Sequence, residues 1–226
     1  MAGIAAITVG YAARTVMRNR DWRDEFALFS SAARVSPNSA KVHYNLGTLY
    51  KDRGLSDRAV AEYKRALEIE PGLLVIRFNL GNVYRELGRL DEAIVAYRRV
   101  LQARPDLVEV LYNLGMAYKD KGLLEEAADA YRRALEVRPD YADAHNNLGN
   151  IYKRMGSLDQ AVAEYLEALR IRPDLAEAHY NLGVAYERMG RIAEAVGAYK
   201  DFVRYARNRR QVEMVRERIR RRREAR

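Results

Sequence analysis

The three histidines are the side chains of this sequence best suited to chemistry, because an imidazole can ligate a metal ion or act as a general base. They are His43, His145 and His179, and all three lie at the same phase of a 34-residue spacing. Metal ligands and catalytic partners must converge within a few ångströms, whereas equivalent positions of successive units do not converge. The spacing therefore predicts structural histidines and no metal site.

Other catalytic residue types give no better candidate. The sequence has no cysteine, no glycine-rich phosphate loop and no zinc-binding motif. Its serines lie in or near expected caps and turns, with no histidine and carboxylate arranged around them. We therefore predict that this chain is not itself an enzyme and needs no cofactor.

A series of asparagines with the same spacing offers binding chemistry instead. A carboxamide donates to a peptide carbonyl and accepts from a peptide N–H, so a row of asparagines can hold an extended chain. We predict a partner-binding groove made of Asn45, Asn79, Asn113, Asn147 and Asn181, of Tyr44, Phe78, Tyr112 and Tyr180 one residue earlier, and of Asn82 and Asn150 three residues later. The alternative is that the asparagines are structural and bond to a neighbouring helix.

The elements that position these residues follow from prolines and glycines of the same period. All five prolines lie 34 residues apart, at Pro37, Pro71, Pro105, Pro139 and Pro173. A fixed period of this length predicts a solenoid, in which helical hairpins bury their apolar faces against their neighbours. Proline is expected to end the second helix of each unit. Left-handed glycines are expected to end the first, at Gly54, Gly88, Gly122, Gly156 and Gly190.

Two finer expectations concern how the helices begin and where they meet. Asp106 with Glu109, and the equivalent pairs of the next two units, are expected to cap the first helices. Glycine inside a helix costs about 1 kcal/mol, so a glycine series within the first helices predicts close helix approach. The glycines are Gly47, Gly81, Gly115, Gly149 and Gly183, and the expected small partners are Ala59, Ala93, Ala127, Ala161 and Ala195.

Within each unit, Asn-Leu-Gly-x-x-Tyr followed by Gly, Ala, Tyr, Ala and Pro resembles the tetratricopeptide repeat (TPR). The usual early tryptophan is replaced by His43, Arg77, Leu111, His145 and His179. The resemblance implies an all-α, right-handed superhelix of stacked antiparallel helix pairs, with the asparagines on its concave surface. The basic pattern with which chaperone-binding relatives clamp a terminal carboxylate is absent, because asparagine stands where they need arginine.

The period divides the chain into an array with two end-pieces. We predict an apolar segment over 1–20, a half-repeat cap over 21–39, five repeats over 40–73, 74–107, 108–141, 142–175 and 176–207, and a basic capping helix and tail over 208–226. In the half-repeat, Trp22 is expected to lie in the core, facing Tyr44 and Tyr50. The apolar start has three interpretations: the end of a transmembrane helix, a short helix docked on the first repeat, or a disordered start.

The net charge of +9 is concentrated at the ends of the chain. Residues 1–20 carry +3 and residues 204–226 carry +8, which leaves −2 for the body, so the repeats give no electrostatic case for binding nucleic acid. The tail, with Arg220 to Arg223, has three interpretations: a solvated helix end, attachment to anionic lipid, or contact with RNA or DNA. Membrane contact is possible through this tail or through residues 1–16.

The region from Arg18-Asn-Arg-Asp-Trp22 through Ala40-Lys-Val-His-Tyr-Asn-Leu-Gly47 has a closer resemblance. It is similar to the junction between the last membrane span and the repeats of the TPR-containing membrane O-mannosyltransferases. This resemblance implies that the chain is the soluble, lumenal extension of a membrane glycosyltransferase whose catalytic domain is not in this chain, and that its repeats hold the acceptor protein. The alternative is a free-standing, cytoplasmic TPR adaptor.

Overall fold

The computed structural model of the protein describes residues 25–224, with side chains as far as residue 221. Within this range the chain is all-α, as predicted, with twelve helices and no strand. The helices are α1 over 25–35, α2 Ala40–Asp52, α3 Ser56–Ile69, α4 Leu74–Glu86, α5 Leu90–Ala103, α6 Val108–Lys121, α7 Leu124–Val137, α8 Ala142–Met155, α9 Leu158–Ile171, α10 Ala176–Arg188, α11 Ile192–Tyr205 and α12 Arg209–Glu224. No helix of this range is long and apolar enough to cross a membrane.

The chain forms two compact units, residues 1–96 and 97–226. In the first unit, α2 packs against α3 and α3 against α4. In the second, each helix from α6 to α12 packs against the next, and α8 also touches α10. Each unit is therefore built of hairpins that stack on their neighbours, which is how a repeat buries an apolar face that it cannot bury alone.

The turns and helix ends agree with the glycine and proline signals. Gly122 follows α6 with φ 86°, and the other four turn glycines also have positive φ. A side chain at such a position would be strained, so glycine ends the first helix of each repeat. The second helices end two residues before the prolines, for example α7 at Val137 before Pro139.

The expectation of capping pairs is wrong. Helix α6 begins at Val108, its N-cap is Leu107, and no side chain caps it. Asp106 is therefore one residue too early to cap the helix, and its carboxylate accepts a hydrogen bond from Arg104 at 3.2 Å. Glu109 pairs with Arg138 at the end of the same hairpin, with 2.5 Å between nitrogen and oxygen.

The close approach is confirmed at Gly47, Gly115, Gly149 and Gly183, but the nearest atoms are not those of the expected alanines. A Cβ added to Gly47 would lie 2.6 Å from the ring of Tyr63, and one added to Gly115 would lie 2.8 Å from the ring of Tyr131. The nearest atoms thus belong to tyrosine rings, and at Gly149 the backbone oxygen of the expected Ala161 follows at 3.1 Å. These tyrosines belong to a fully buried series: Tyr63, Tyr97, Tyr131, Tyr165 and Tyr199.

The ends of the array differ in how much of them the structure describes. The apolar start and Trp22 lie outside the described residues, so the interpretations given for them stay predictions. In α1, the ring of Phe26 packs edge-on against Tyr50, with the centroids 5.4 Å apart. At the other end, Val215 of α12 is buried in a cluster with Tyr199 and Phe202, and Ile219 packs against the same cluster.

Candidate partner-binding face

The first helices of the repeats, α2, α4, α6, α8 and α10, carry all the predicted groove residues. We call these eleven residues, the five asparagines of the main series together with the aromatic residues and asparagines beside them, the asparagine face. They are half-buried, except Asn181, which is only 7% exposed. Half-burial leaves polar atoms accessible while the rest of each side chain is held by packing.

The asparagines bond between successive repeats. The amide of Asn79 donates to the hydroxyl of Tyr44 at 3.3 Å, and the amide of Asn147 donates to the hydroxyl of Tyr112 at 2.8 Å. Each bond joins residues 35 positions apart, so it links the first helix of one repeat to the first helix of the next. These contacts are those expected of structural asparagines, and they use the NH₂ group of each carboxamide.

Asn113 and Asn181 make different hydrogen bonds from those of Asn79 and Asn147. The amide of Asn113 donates to the backbone carbonyl of Glu109, one turn earlier in α6, at 2.7 Å. The amide of Asn181 donates to the side-chain oxygen of Asn146 at 3.1 Å. The 35-residue link is therefore kept in α10, with an asparagine in the place of the tyrosine.

The aromatic residues of the face also pack inward. Tyr112 lies with its ring centroid 5.0 Å from that of Tyr141 and 5.7 Å from that of Tyr131. Burial, followed by the nearby Tyr141 and Asp143, raises the pKa of Tyr112 to about 12. The hydroxyl therefore keeps its proton at neutral pH and remains able both to donate and to accept hydrogen bonds.

Sequence reasoning missed two residues of this face, Asn146 and Lys153. Asn146 is only 4% exposed, and the ammonium of Lys153 donates to Asn150 at 3.0 Å and to Asn181 at 2.8 Å. The sequence did carry a signal for Asn146, because this asparagine stands where the other four repeats have an aromatic residue. No such signal marked Lys153, since basic residues occupy its phase in four of the five repeats.

The histidines bind the backbone of the preceding turn. His43 lies 3.0 Å from the carbonyl oxygen of Pro37, His145 lies 3.0 Å from that of Pro139, and His179 lies 2.8 Å from that of Pro173. An arginine makes the same contact at the same phase, from Arg77 to the carbonyl of Pro71 at 2.8 Å. Among the described residues, no group of metal-binding side chains could hold an ion.

His145 also has a carboxylate partner. Its Nδ1 lies 2.6 Å from Glu164, and its Nε2 faces a carbonyl, which only accepts hydrogen bonds. Burial lowers the pKa of His145, but the hydrogen bonds to Glu164 and to the carbonyl of Pro139 raise it, and the net shift is upward. The ring therefore links the loop before α8 to Glu164 of α9, and the contact is an ion pair when the ring is protonated.

Helix α12 covers the asparagine face in the last repeat. Arg218 bonds to the carboxylate of Glu187 at 2.6 Å and reaches the hydroxyl of Tyr180 at 3.4 Å. Glu187, whose side chain is only 7% exposed, also accepts a hydrogen bond from Tyr199 at 2.7 Å. The predicted groove residue Tyr180 is thus in contact with the chain's own last helix.

Comparison with known families accounts for this arrangement of stacked hairpins. A TPR repeat model matches residues 81–122, 115–156 and 149–190, and further tetratricopeptide repeat models match 40–72, 62–95 and 176–209. These matches cover the array from its first repeat to its last. The chain belongs to the tetratricopeptide-repeat family.

Solved structures agree with this assignment. The chain is similar to MamA, with 30% sequence identity and a TM-score of 0.69, over 71% of this chain and 94% of MamA. It also resembles YrrB, a TPR protein with an unusual peptide-binding site, with 22% identity and a TM-score of 0.69, over 84% of this chain and 97% of YrrB. The likeness to YrrB shows the fold alone.

Curated relatives match over shorter stretches. The chain is 40% identical over 55 residues to the protein O-mannosyl-transferase F38B6.6 of Caenorhabditis elegans, a stretch that is 24% of this chain and 8% of the relative. It is 43% identical over 65 residues to the protein O-mannosyl-transferase TMTC4 of Mus musculus, which is 27% of this chain and 9% of the relative. The matches thus span less than a tenth of the length of these relatives. The resemblance to the TPR region of this family is confirmed.

Proposed function

We propose that the chain is a non-catalytic scaffold that binds an extended peptide or a partner helix along the asparagine face. The observation that carries the proposal is the orientation of the asparagines. Asn147 donates its amide N–H to Tyr112, and among the described residues its carbonyl oxygen makes no hydrogen bond and is not buried. An oxygen held in this way is an acceptor for a peptide N–H.

Repetition adds to this argument. Asn79 uses its amide in the same way, toward Tyr44, so the two asparagines present their oxygens in equivalent settings within their own repeats. A backbone in extended conformation offers N–H groups that can donate to acceptors of this kind. The bond to tyrosine fixes each rotamer before binding, which lowers the entropy lost when a ligand docks.

The test is capture of partner proteins by the full chain. Chemical cross-linking in native extracts first identifies the partners of the unmodified chain. The triple variant Asn79→Ala, Asn113→Ala, Asn147→Ala should keep its helical circular dichroism. It should capture at least fivefold less of these partners. The matched control is Lys64→Ala, Arg98→Ala, Arg132→Ala, which removes three exposed side chains of one phase from the second helices. Equal capture by the asparagine variant and the control would leave the series with a structural role only.

We propose further that the repeats are the soluble extension of a membrane O-mannosyltransferase and hold its acceptor protein. The matched stretches of the O-mannosyl-transferase relatives, at 40–43% identity, support this. Mass spectrometry of the natural polypeptide that contains these residues tests it. A much longer membrane polypeptide supports the extension, and a soluble polypeptide of about this length contradicts it.

The alternative is a free-standing TPR adaptor whose basic tail contacts anionic lipid or nucleic acid. The charge of +8 over residues 204–226 favours it, because such a tail attracts polyanions through counterion release. Phosphatidylserine vesicles and a duplex DNA should then retain the chain at low salt and release it at high salt. Retention of a chain lacking residues 219–226 would rule out this role for the segment with Arg220 to Arg223.

A further inference from the structure

The corner where α11 passes into α12 carries a dense positive charge. Residues 204–212 contain four arginines and no acidic residue, a charge of +4, which is half of the +8 of residues 204–226. We call Arg204, Arg207, Arg209 and Arg210 the arginine corner. All four side chains are exposed, and within the described residues none of them forms an ion pair. An anion at the protein surface therefore finds four cations there that no carboxylate has neutralised.

Arginines further along α12 are already paired. Arg216 bonds to Glu213 at 2.9 Å, and the carboxylate of Glu217 accepts hydrogen bonds from both Arg220 and Arg221. A carboxylate in contact with a guanidinium cancels most of its field at a distance. The sequence shows arginines throughout this region, but the structure separates an unpaired group at the corner from a largely paired group on the helix.

Asn208 holds the backbone of the corner in place. Its side-chain oxygen accepts the backbone N–H of Gln211 at 3.2 Å, and its carbonyl oxygen accepts the N–H of Val212 at 3.0 Å. The N–H of Ala206 donates to the carbonyl of Phe202 at 2.8 Å. Because these bonds fix the turn, little backbone entropy is lost when the arginines engage a ligand.

Apolar surface lies directly beside these cations. A cavity of about 540 Å³ opens between α10, α11 and α12, with Phe202, Met214 and Val215 in its apolar wall and Arg207 at its edge. Met214 is 61% exposed and follows Arg210 by four residues, so the two side chains lie on the same side of α12. Cations next to exposed apolar surface suit an amphiphilic anion better than they suit nucleic acid.

We propose that the arginine corner attaches the chain to an anionic phospholipid membrane, with the guanidinium groups on the lipid phosphates and Met214 in the boundary between headgroups and acyl chains. Among the described residues that line the cavity, Glu177 is the only acid, and the four arginines outweigh its charge. The proposal is independent of peptide binding by the asparagine face. It shares its ligand with the adaptor alternative above but assigns that ligand to the corner and not to the tail.

The length of α12 makes the two locations distinguishable. Arg210 and Arg221 are eleven residues apart, which is about 17 Å along the helix axis. The screening length is about 10 Å at 0.1 M salt. A membrane in contact with the corner therefore responds strongly to charges removed there and weakly to charges removed near the end of the helix.

The experiment measures co-sedimentation of the full chain with vesicles at about 0.1 M salt. One set of vesicles is equimolar phosphatidylserine and phosphatidylcholine, and the other set is phosphatidylcholine alone. The chain should partition at least tenfold more strongly onto the anionic vesicles. In the truncation test above, the chain lacking residues 219–226 should stay on them.

A corner variant tests the arginines directly. Arg207→Gln, Arg209→Gln, Arg210→Gln should lose at least twentyfold in partition, because each arginine near an anionic surface strengthens attachment about fivefold. If this variant loses its helical circular dichroism, Arg209→Gln, Arg210→Gln leaves the cavity lining intact and should lose at least tenfold.

The matched control removes the same charge from the same helix. Arg216→Gln, Arg220→Gln, Arg221→Gln replaces three exposed arginines and should lose less than fivefold. Equal losses in this control and in the corner variant would show that net charge alone drives attachment, which overturns a site at the corner.

Met214→Ser separates a membrane from nucleic acid. The substitution removes apolar surface that a membrane takes up and a duplex does not, so partition onto the anionic vesicles should fall at least threefold. Binding of a fluorescein-labelled duplex DNA, measured by anisotropy, should not change. Unchanged partition of Met214→Ser, or binding of the duplex without binding of the vesicles, contradicts the proposed membrane contact.

Two further outcomes overturn the proposal. Equal partition onto both kinds of vesicle would mean that anionic lipid is not recognised. Release of the chain lacking residues 219–226, with the corner variant still bound, would assign the lipid to the tail, so the adaptor alternative would stand and the corner would not. None of these results bears on peptide binding by the asparagine face.

Discussion

The carboxamide nitrogen of Asn147 lies 2.8 Å from the hydroxyl oxygen of Tyr112, which is 35 residues earlier in the chain. The bond joins α8 to α6, so this asparagine fastens neighbouring repeats with its NH₂ group, while its oxygen is the acceptor that we propose for a ligand. Asn79 and Tyr44 form the same kind of bond in the first unit. The contribution of the bond to stability and the proposed binding are separable by experiment.

A double-mutant cycle measures the structural part. Tyr112→Phe and Asn147→Ala should each lower the free energy of unfolding by about 1 kcal/mol, and the double variant should lose little more than either single variant. Urea unfolding followed by circular dichroism gives the four values. Strict additivity would mean that the bond contributes nothing to stability.

Substitution of Gly115 should show that its close approach to Tyr131 outweighs helix propensity. Gly115→Ala brings a Cβ to 2.8 Å from the ring, and overpacking of this kind costs about 1–3 kcal/mol, against a gain of about 1 kcal/mol from alanine. We expect a lower melting temperature. The control is Gly197→Ala in α11, where a Cβ would meet nothing within 4 Å and the melting temperature should rise slightly. A rise in Gly115→Ala as well would refute the steric argument.

The pair of His145 and Glu164 should make stability depend on pH. The pKa of His145 is raised in the fold above its ordinary value of 6.5. The stabilisation is therefore fully present below pH 6.5 and is lost as the pH rises through the raised value. Glu164→Gln should lower the free energy of unfolding more at pH 5.5 than at pH 8.5.

Urea unfolding at the two pH values measures this difference. Glu68→Gln is the control, because its carboxylate pairs with the exposed Arg65 at 3.0 Å. The control should change stability little at either pH, since exposed ion pairs contribute little. A loss in Glu164→Gln that is the same at pH 5.5 and 8.5 would show that the histidine titration does not contribute.

Arg218 should be the side chain that holds α12 in place. Arg218→Met removes the guanidinium that bonds to the carboxylate of Glu187, whose side chain is only 7% exposed, and loss of such a bond costs about 1–3 kcal/mol. Arg216→Met is the matched control, because Arg216 pairs with the exposed Glu213 at 2.9 Å. Hydrogen exchange of the α12 amides should speed up in the first variant only. Unchanged exchange in both would show that apolar packing alone holds the helix.

The periodic features of the sequence predicted the helices and their turns well. A left-handed glycine and a proline have consequences that depend on the local backbone, so Gly122 and Pro139 marked helix ends without any knowledge of the fold. A shared phase does not reveal which neighbour a side chain meets. The glycines therefore face tyrosine rings instead of alanines, and Asp106 bonds to Arg104 instead of capping α6.

The sequence predicted where the candidate site lies on the first helices, but it did not predict the contacts of the side chains there. The asparagine series located the face, but the role of Asn147 depends on Tyr112, whose distance from it is set by how two repeats stack. Lys153 was hidden for the opposite reason. Basic residues occupy its phase in four of the five repeats, so its position in the sequence did not distinguish it.

Helix α12 has a consequence for how such an array grows. Val215 and Ile219 pack against Tyr199 and Phe202 of α11, so another hairpin could stack on this surface of α11 only if α12 were displaced. A duplicate of residues 142–175 inserted after Asp174 or Leu175 would instead pack against a tetratricopeptide repeat on each side. The array is thus extensible from its interior, which makes the internal turns suitable points for lengthening it by design or by gene duplication.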